Sequence, residues 1–477
     1  MKTKQSSIWI YGLICLMGAS VFLNTFWNAD ELWNYNFAKC VVDGLVPYRD
    51  FNMVSTPLSI YITAFFFKLL GSSLFTYRIV SYVLQVVTYV LLYRLGLKIT
   101  NRRLYAFIAV VFAFGINLSV YIYNYNNVAL CIILLILLLE WEIASGNATR
   151  GKNVAIGLCV GVIPLLKQSI GVLILLVHGV VCLYSASKRE KKEYLMRILL
   201  SGLPGTMYVV YLLVSDTFME FVDYAILGIG DFTYRISLFD YMAISPINFV
   251  IGLVPIGVLS YGLYDIVVRK NGNTHKYVYC MYVFTWLFAA SYPMCDEQHF
   301  FAGLVPVLPL GFLFMQEKER HKEILFYVGL IFGTFMLMLN ILVAPDLKNY
   351  PLSEINRYEG IPMAEETAKN IDTVCAYIGE KKQEGYDVYI AYEYAAMYHI
   401  PLDTYVKNWD LLLVGNLGMV SIEKMLDVEA NSIFLVPKKE VQLNKMAHVE
   451  LMEYIREHYL CIDEVEQFEV YRKVETK

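Results

Sequence analysis

The chain has 477 residues, 57% hydrophobic and only 17% charged, with a mean hydropathy of +0.49. Soluble globular chains carry about 25% charged residues, so this one cannot cover a water-facing surface along its whole length. A net charge of −4 gives no basic footprint for nucleic acid, and nine scattered Cys without a CxxC argue against a zinc site or a full disulfide framework.

Lys2 and Lys4 precede the first apolar run, which reads as an uncleaved signal anchor and the first membrane helix. Apolar runs suited to about 30 Å of hydrocarbon follow. The candidate spans are 7–26, 76–97, 104–122, 127–143, 153–167, 169–186, 197–215, 246–268, 276–292, 299–315 and 323–343. Lys98, Arg102 and Arg103 form one basic connection, and Arg150 with Lys152 another. Lys188 to Lys192, Arg269 to Lys276 and Lys318 to Lys322 supply the rest. Every second connection is basic, which predicts a cytoplasmic N-terminus and an external C-terminus.

Between the first two spans, 27–75 reads as one external segment. Within 29–43, Trp33, Phe37, Ala38, Val41 and Val42 recur at helical spacing, with Glu31, Tyr35 and Lys39 on another face. This predicts an amphipathic helix resting on the bilayer surface, ended by Gly44 and Pro47. The apolar stretch 57–71 is short, opens at Pro57 and carries Lys68, so it reads as an interfacial helix. The tail, 344–477, is charged and mixed. It predicts helices over 363–384 and 446–458, and strands over 387–392, 432–437 and near Phe468 to Tyr471. The fold class is thus mainly α: a polytopic bundle of about eleven spans over 1–343, with an extracytoplasmic α/β domain over 344–477.

Three motifs, two in the first loop and one at the start of the second span, carry a resemblance. NADELWNYNFAKCVVDGLVPYRDF, STPLSIYITAFFFKLLGSS and YRIVSYVLQ resemble the GT-C superfamily of membrane glycosyltransferases, in particular bacterial protein O-mannosyltransferase and aminoarabinose-transferase relatives. The shared pattern is Asp30-Glu31, a turn from Gly44 to Asp50 through Tyr48 and Arg49, Pro57-Leu58, and Arg78 opening the second span. Weaker similarity extends to LLKQS (165–169), SYPMCDEQHF (291–300) and VGNLG (414–418). Ser55 and Thr56 stand where aminoarabinose transferases have Glu-Lys, and NYNN (124–127) stands where many relatives have an acid. Those relatives' metal and phosphate contacts are therefore not carried over to these two places.

The resemblance implies a polyprenyl-phosphate or polyprenyl-pyrophosphate sugar donor, since nucleotide sugars stay in the cytoplasm. It implies an acceptor hydroxyl on a glycan, lipid or protein, and an inverting transfer at the outer face of a bacterial plasma membrane. No cofactor is certain, and a divalent metal is compatible. Asp30 is the candidate general base and Glu31 its supporting candidate; the plain alternative is a pair of first-turn helix acids. Lys167, Gln168, His299 and Arg235 are candidate donor-phosphate contacts, against a snorkelling Lys, a solvated loop and an ordinary ion pair. Tyr48, Arg49, Asp50, Pro57 and Arg78 have structural roles in the first loop. The competing functions are a transporter or flippase of lipid-linked glycan, for which paired halves with broken helices are lacking, and a polymerase or ligase of surface glycans.

Overall fold

The computed structural model describes residues 2–26, 29–117, 123–186, 191–228, 236–268, 274–292, 294–316, 350–413, 417–418, 420–444 and 447–473. Helices α1 to α9 are Lys2–Gly18, Ala29–Val42, Leu58–Leu70, Leu74–Thr100, Arg103–Asn117, Tyr125–Ala144, Arg150–Val162, Gln168–Ala186 and Lys191–Val214. Later helices are named by their residues. Five described helices are long and apolar enough to cross a membrane: Leu74–Thr100, Tyr125–Ala144, Gln168–Ser185, Lys191–Val214 and Asn248–Val267. Shorter apolar helices cover Ile8–Leu23, Arg103–Gly115 and Gln298–Phe312. The candidate spans 76–97, 127–143, 169–186, 197–215, 246–268 and 276–292 each fall on one helix; 7–26 and 153–167 pass from a helix into a 3-10 turn, and 299–315 is divided between Glu297–Leu304 and Val307–Gln316. The span 104–122 is helical to Asn117, and 118–122 and 323–343 lie outside the described residues.

Two compact units form, and they do not follow chain order. One comprises Met1–Asn24, Val80–Tyr211 and Arg235–Pro345; the other comprises Thr25–Ile79, Leu212–Tyr234 and Asp346–Lys477. The first loop thus groups with the tail.

In the helical unit, Thr274–Ala290 packs against α6 and α8. Trp286 Nε1 donates to the carbonyl of Ala302 at 2.8 Å, and the Tyr279 hydroxyl to that of Pro306 at 2.7 Å. A Cβ on Gly161 would lie 2.4 Å from the carbonyl oxygen of Ser201, so α7 approaches α9 as closely as only glycine permits. Arg197, fully buried on α9, donates to Glu140 of α6 at 2.6 Å and to Asn153 of α7 at 2.7 Å. Charge at membrane depth is costly, and this pair stays inside the bundle, where each member neutralises the other.

In the second unit, the tail builds a four-stranded sheet in the order β1-β2-β4-β3, from Asp387–Ile390, Ser432–Pro437, Leu460–Val465 and Phe468–Arg472. β1 is parallel to β2; β2–β4 and β4–β3 are antiparallel. β2 is buried throughout, which explains its unbroken apolar reading SIFLVP. Phe434 at its centre meets the rings of Tyr389, Trp409 and Tyr459 at 5.2–5.5 Å. The expected helix over 363–384 is seen at Glu365–Gln383, with Glu365 and Glu366 in its first turn and Lys381 and Lys382 in its last, matching the helix dipole. β3 carries no clear alternation in sequence and was not expected; its side chains are exposed except for Val465.

Helix α2 departs from the amphipathic reading. Tyr35, assigned to the polar face, is 1% exposed, and Asn34, Asn36 and Cys40 are buried together with Leu32, Phe37 and Ala38. Such a helix has no continuous face for lipid. Its polar residues are satisfied instead by protein: the Tyr35 hydroxyl donates to the Ser72 carbonyl at 3.1 Å, and Asn36 to Asp410 at 2.7 Å. Helix α3 has 13 residues, from the Pro57 cap to Gly71 at φ +89°. It rises about 20 Å, too little to cross as one helix. Phe65, Leu69 and Leu70 stand exposed along it.

Candidate active site

The candidate site residues fall into two groups. The first belongs to the unit formed by the first loop and the tail. Asp30 and Glu31 occupy the first turn of α2, where the helix dipole favours carboxylates. Their surroundings differ. Glu31 is 6% exposed, and both its oxygens are taken by Arg78: Nε to Oε1 at 2.9 Å and Nη2 to Oε2 at 3.1 Å. Arg78 is itself 1% exposed and also reaches the Thr25 carbonyl. A forked pair of this kind orients the helix start and engages both Glu31 oxygens. Asp30 is half-buried. Tyr394 of the tail lies within electrostatic reach of it: burial raises the Tyr394 phenol, a bond from Asn444 opposes, and the charges of Glu393 and Asp30 add to the rise. Nothing local in the sequence signalled Tyr394.

The turn after α2 is held from within. Asp50 accepts from the Val46 N–H at 2.8 Å and from Arg49 twice at 2.9 Å. The hydrogen bond from Arg49, outweighing the effect of burial, holds the Asp50 carboxyl below the usual range. Tyr48, at φ +70° and 1% exposed, donates its hydroxyl to the Ser55 carbonyl at 2.9 Å. Pro57 caps α3, and its carbonyl accepts from the Tyr61 N–H at 3.1 Å.

The second group belongs to the helical unit. Pro164 breaks the chain after α7, a short 3-10 turn follows, and Lys167 stands at the break before α8. A Cβ on Gly171 would lie 2.3 Å from Pro164, so the turn closes only around glycine. Lys167 is 8% exposed, donates to Asn126 Oδ1 at 3.3 Å and lies 5.4 Å from the centre of the Tyr125 ring. Asn126 Nδ2 meets His299 Nε2 at 3.2 Å, and His299 Nδ1 meets Asp296 Oδ1 at 2.6 Å. Asp296 also caps its helix, accepting from the His299 N–H at 2.9 Å. Burial would raise the Asp296 carboxyl, but the bonds and charge from His299, with help from Lys167, hold it low.

Lys167 and His299, 132 positions apart, are thus joined through Asn126. Asn126 belongs to NYNN, the segment set aside in the sequence because it lacks an acid. Asn124 explains its local form: its side chain accepts from the N–H groups of Asn126 and Asn127 at 3.0 and 3.1 Å and starts α6. Gln168 opens α8 and is half-buried. Arg235 lies outside the described residues. Among the described residues, no three His, Cys, Asp or Glu side chains are grouped as a metal would need.

Residues 54–218 match the family profile of dolichyl-phosphate-mannose-protein mannosyltransferases. No curated protein matches the sequence. Among solved structures, ArnT from Cupriavidus metallidurans bound to undecaprenyl phosphate is similar with a TM-score of 0.61 and 10% identity, over 99% of this chain and 98% of that one. The archaeal oligosaccharyltransferase AglB from Archaeoglobus fulgidus, in complex with an inhibitory peptide and a dolichol-phosphate, gives 0.50 and 11% over 83% and 64%. The arabinofuranosyltransferase AftD from Mycobacteria gives 0.54 and 13% over 99% and 40%. The resemblance read from the first loop is upheld, since the matching family and these structures are GT-C glycosyltransferases.

Proposed function

We propose that this integral membrane protein of GT-C fold moves a sugar from a polyprenyl-phosphate or polyprenyl-pyrophosphate donor to an acceptor hydroxyl at the outer face of a bacterial plasma membrane. The observation that carries the reading is the placement of two adjacent carboxylates at the start of α2. Glu31 is locked on Arg78, while Asp30, one residue away, is half-buried beside a tail tyrosine. One acid anchors the helix and the other is the general base. The likeness over nearly the whole chain to a structure holding undecaprenyl phosphate supports the donor class.

In this reading Asp30 takes the proton of the acceptor hydroxyl as its oxygen attacks the anomeric carbon. The bond from that carbon to the phosphate oxygen breaks, and polyprenyl phosphate leaves with the electron pair. Attack from the face opposite the phosphate inverts the centre. Phosphate is a good leaving group and needs cationic or hydrogen-bonding partners more than an acid. Lys167 supplies the charge, and the Asn126–His299–Asp296 series holds it in place. The flippase reading gains nothing from the fold, whose neighbours are transferases.

The test is turnover of a synthetic undecaprenyl-phosphate sugar by the purified chain in detergent. Lys167→Met keeps the apolar stem and removes the charge. We expect it to weaken binding of undecaprenyl phosphate by ~10-fold or more, the order of one charge-assisted contact. Unchanged binding would remove Lys167 from the phosphate site, and no sugar release from any such donor would overturn the function. The C-terminus is expected outside, so a C-terminal reporter active only in the cytoplasm should be silent. A positive signal would invert the topology, with 57–71 then read as crossing in company with its neighbours.

A further inference from the structure

We infer that Asp410, far from the first loop in sequence, is a positioning residue for α2, holding it through Asn36 and making that hold sensitive to pH. The inference rests on the reading above only in that α2 carries Asp30. Asp410 is 0% exposed and Asn36 2%. Asn36 Nδ2 donates to Asp410 Oδ1 at 2.7 Å, while Asp410 Oδ2 is buried and makes no hydrogen bond among the described residues.

The hold extends beyond that bond. The Tyr405 hydroxyl donates to Asn52 Oδ1 at 2.9 Å, and the Asn408 N–H donates to the same oxygen at 2.9 Å. Lys407 Nζ donates to the carbonyls of Tyr48 and Arg49 at 3.1 and 2.6 Å. One tail segment, 405–410, therefore grips both α2 and the turn after it, and Asp410 is its contact with the middle of the helix.

Among the described residues, no cation pairs with Asp410. The titratable groups around it are Cys40 on α2, Tyr405 on its own segment and Tyr358 on the preceding loop, and none is positive. Cations of the same unit are engaged elsewhere: Lys39 with Asp43 at 2.6 Å and Asp403 at 3.5 Å, Arg357 with Asp403 at 2.9 Å, and Lys407 with the carbonyls of Tyr48 and Arg49. Burial pushes the Asp410 carboxyl up, against the bond from Asn36, to about 7. The clasped state therefore binds the proton more tightly than the open one, where an Asp titrates near 3.9. The hold is complete below the open-state value and is lost as pH rises through about 7, when a charge with no counter-ion is left buried.

Hydrogen–deuterium exchange of the full chain in detergent tests this without any substrate. The readout is the exchange of peptides within 33–42, native against Asp410→Asn at the same pH. The peptide is identical in both, so its intrinsic chemistry cancels. The ratio of native to Asp410→Asn exchange should rise by at least ~5-fold between about pH 6 and about pH 8.5, with the native helix the faster. Equal ratios at both pH values would overturn the inference. Should Asp410→Asn not fold, the exchanged pair Asn36→Asp with Asp410→Asn restores the bond and the titrating carboxyl, and must again open at high pH. An opening that stays pH-independent in that pair also overturns it. If Asp30 proves not to be the base, this outcome is unaffected; if exchange fails while Asp30→Asn abolishes transfer, only the positioning role falls.

Discussion

Asp30→Asn is expected to slow sugar transfer by at least about 10²-fold while the donor lipid still binds, because a lone general base contributes about 10²–10⁴-fold. The substitution keeps the size and hydrogen-bonding shape of the side chain and removes its basicity. The local structure should survive, since the Asp30 contact that orders α2 is made by its backbone carbonyl, which accepts from Asn34 at 2.7 Å. The effect should therefore appear in turnover more than in donor affinity. The measurement is sugar release from an undecaprenyl-phosphate donor, with and without acceptor, on monodisperse protein. Near-native turnover would place the base elsewhere, with Asp296 and Glu297 the next candidates. Glu31→Gln should act differently. Its carboxylate is already occupied by Arg78, so its loss weakens an anchor and leaves the base in place.

Arg78→Met is expected to be the most destabilising single change in the first loop. It strands the Glu31 carboxylate, 6% exposed, with its main counter-ion gone. Removing one partner of a buried ion pair typically costs about 3–5 kcal/mol, mostly the penalty of the charge left behind. The expected result is a lower unfolding temperature in detergent or loss of monodisperse protein. The double variant Glu31→Gln with Arg78→Met removes both charges and should recover at least half of that loss. A double variant no better than Arg78→Met would show that Arg78 acts through other contacts, such as the Thr25 carbonyl it also meets.

The helices were legible in the sequence because burial in hydrocarbon is written locally. A run such as YNNVALCIILLILLLEWEIA is apolar on every side, and the chain needs no distant partner to declare it a helix. Punctuation was legible for the same reason. Gly44 and Pro47 were read as the end of α2, which stops at Val42; the break at Pro164, inside the expected span 153–167, was not read. The tail strands β1 and β2 showed as apolar runs, whereas β3, exposed on both faces, offered no period to read.

Tertiary structure decided the rest. α2 looked like a surface helix because Glu31, Tyr35 and Lys39 line a polar face, and Asn36 stands next to it. That face is closed by groups from elsewhere in the chain: the Ser72 carbonyl, Asp410 and Asp403. The Asn36–Asp410 bond joins residues 374 positions apart, so no window of sequence contains both partners. NYNN seemed silent for a related reason, since an asparagine bridges two groups only after Lys167 and His299 have been brought to it. The sequence by itself determined which segments are helices and which two acids begin α2. Only the packed chain decided that Glu31 pairs with Arg78, because that bond depends on where Arg78 comes to rest.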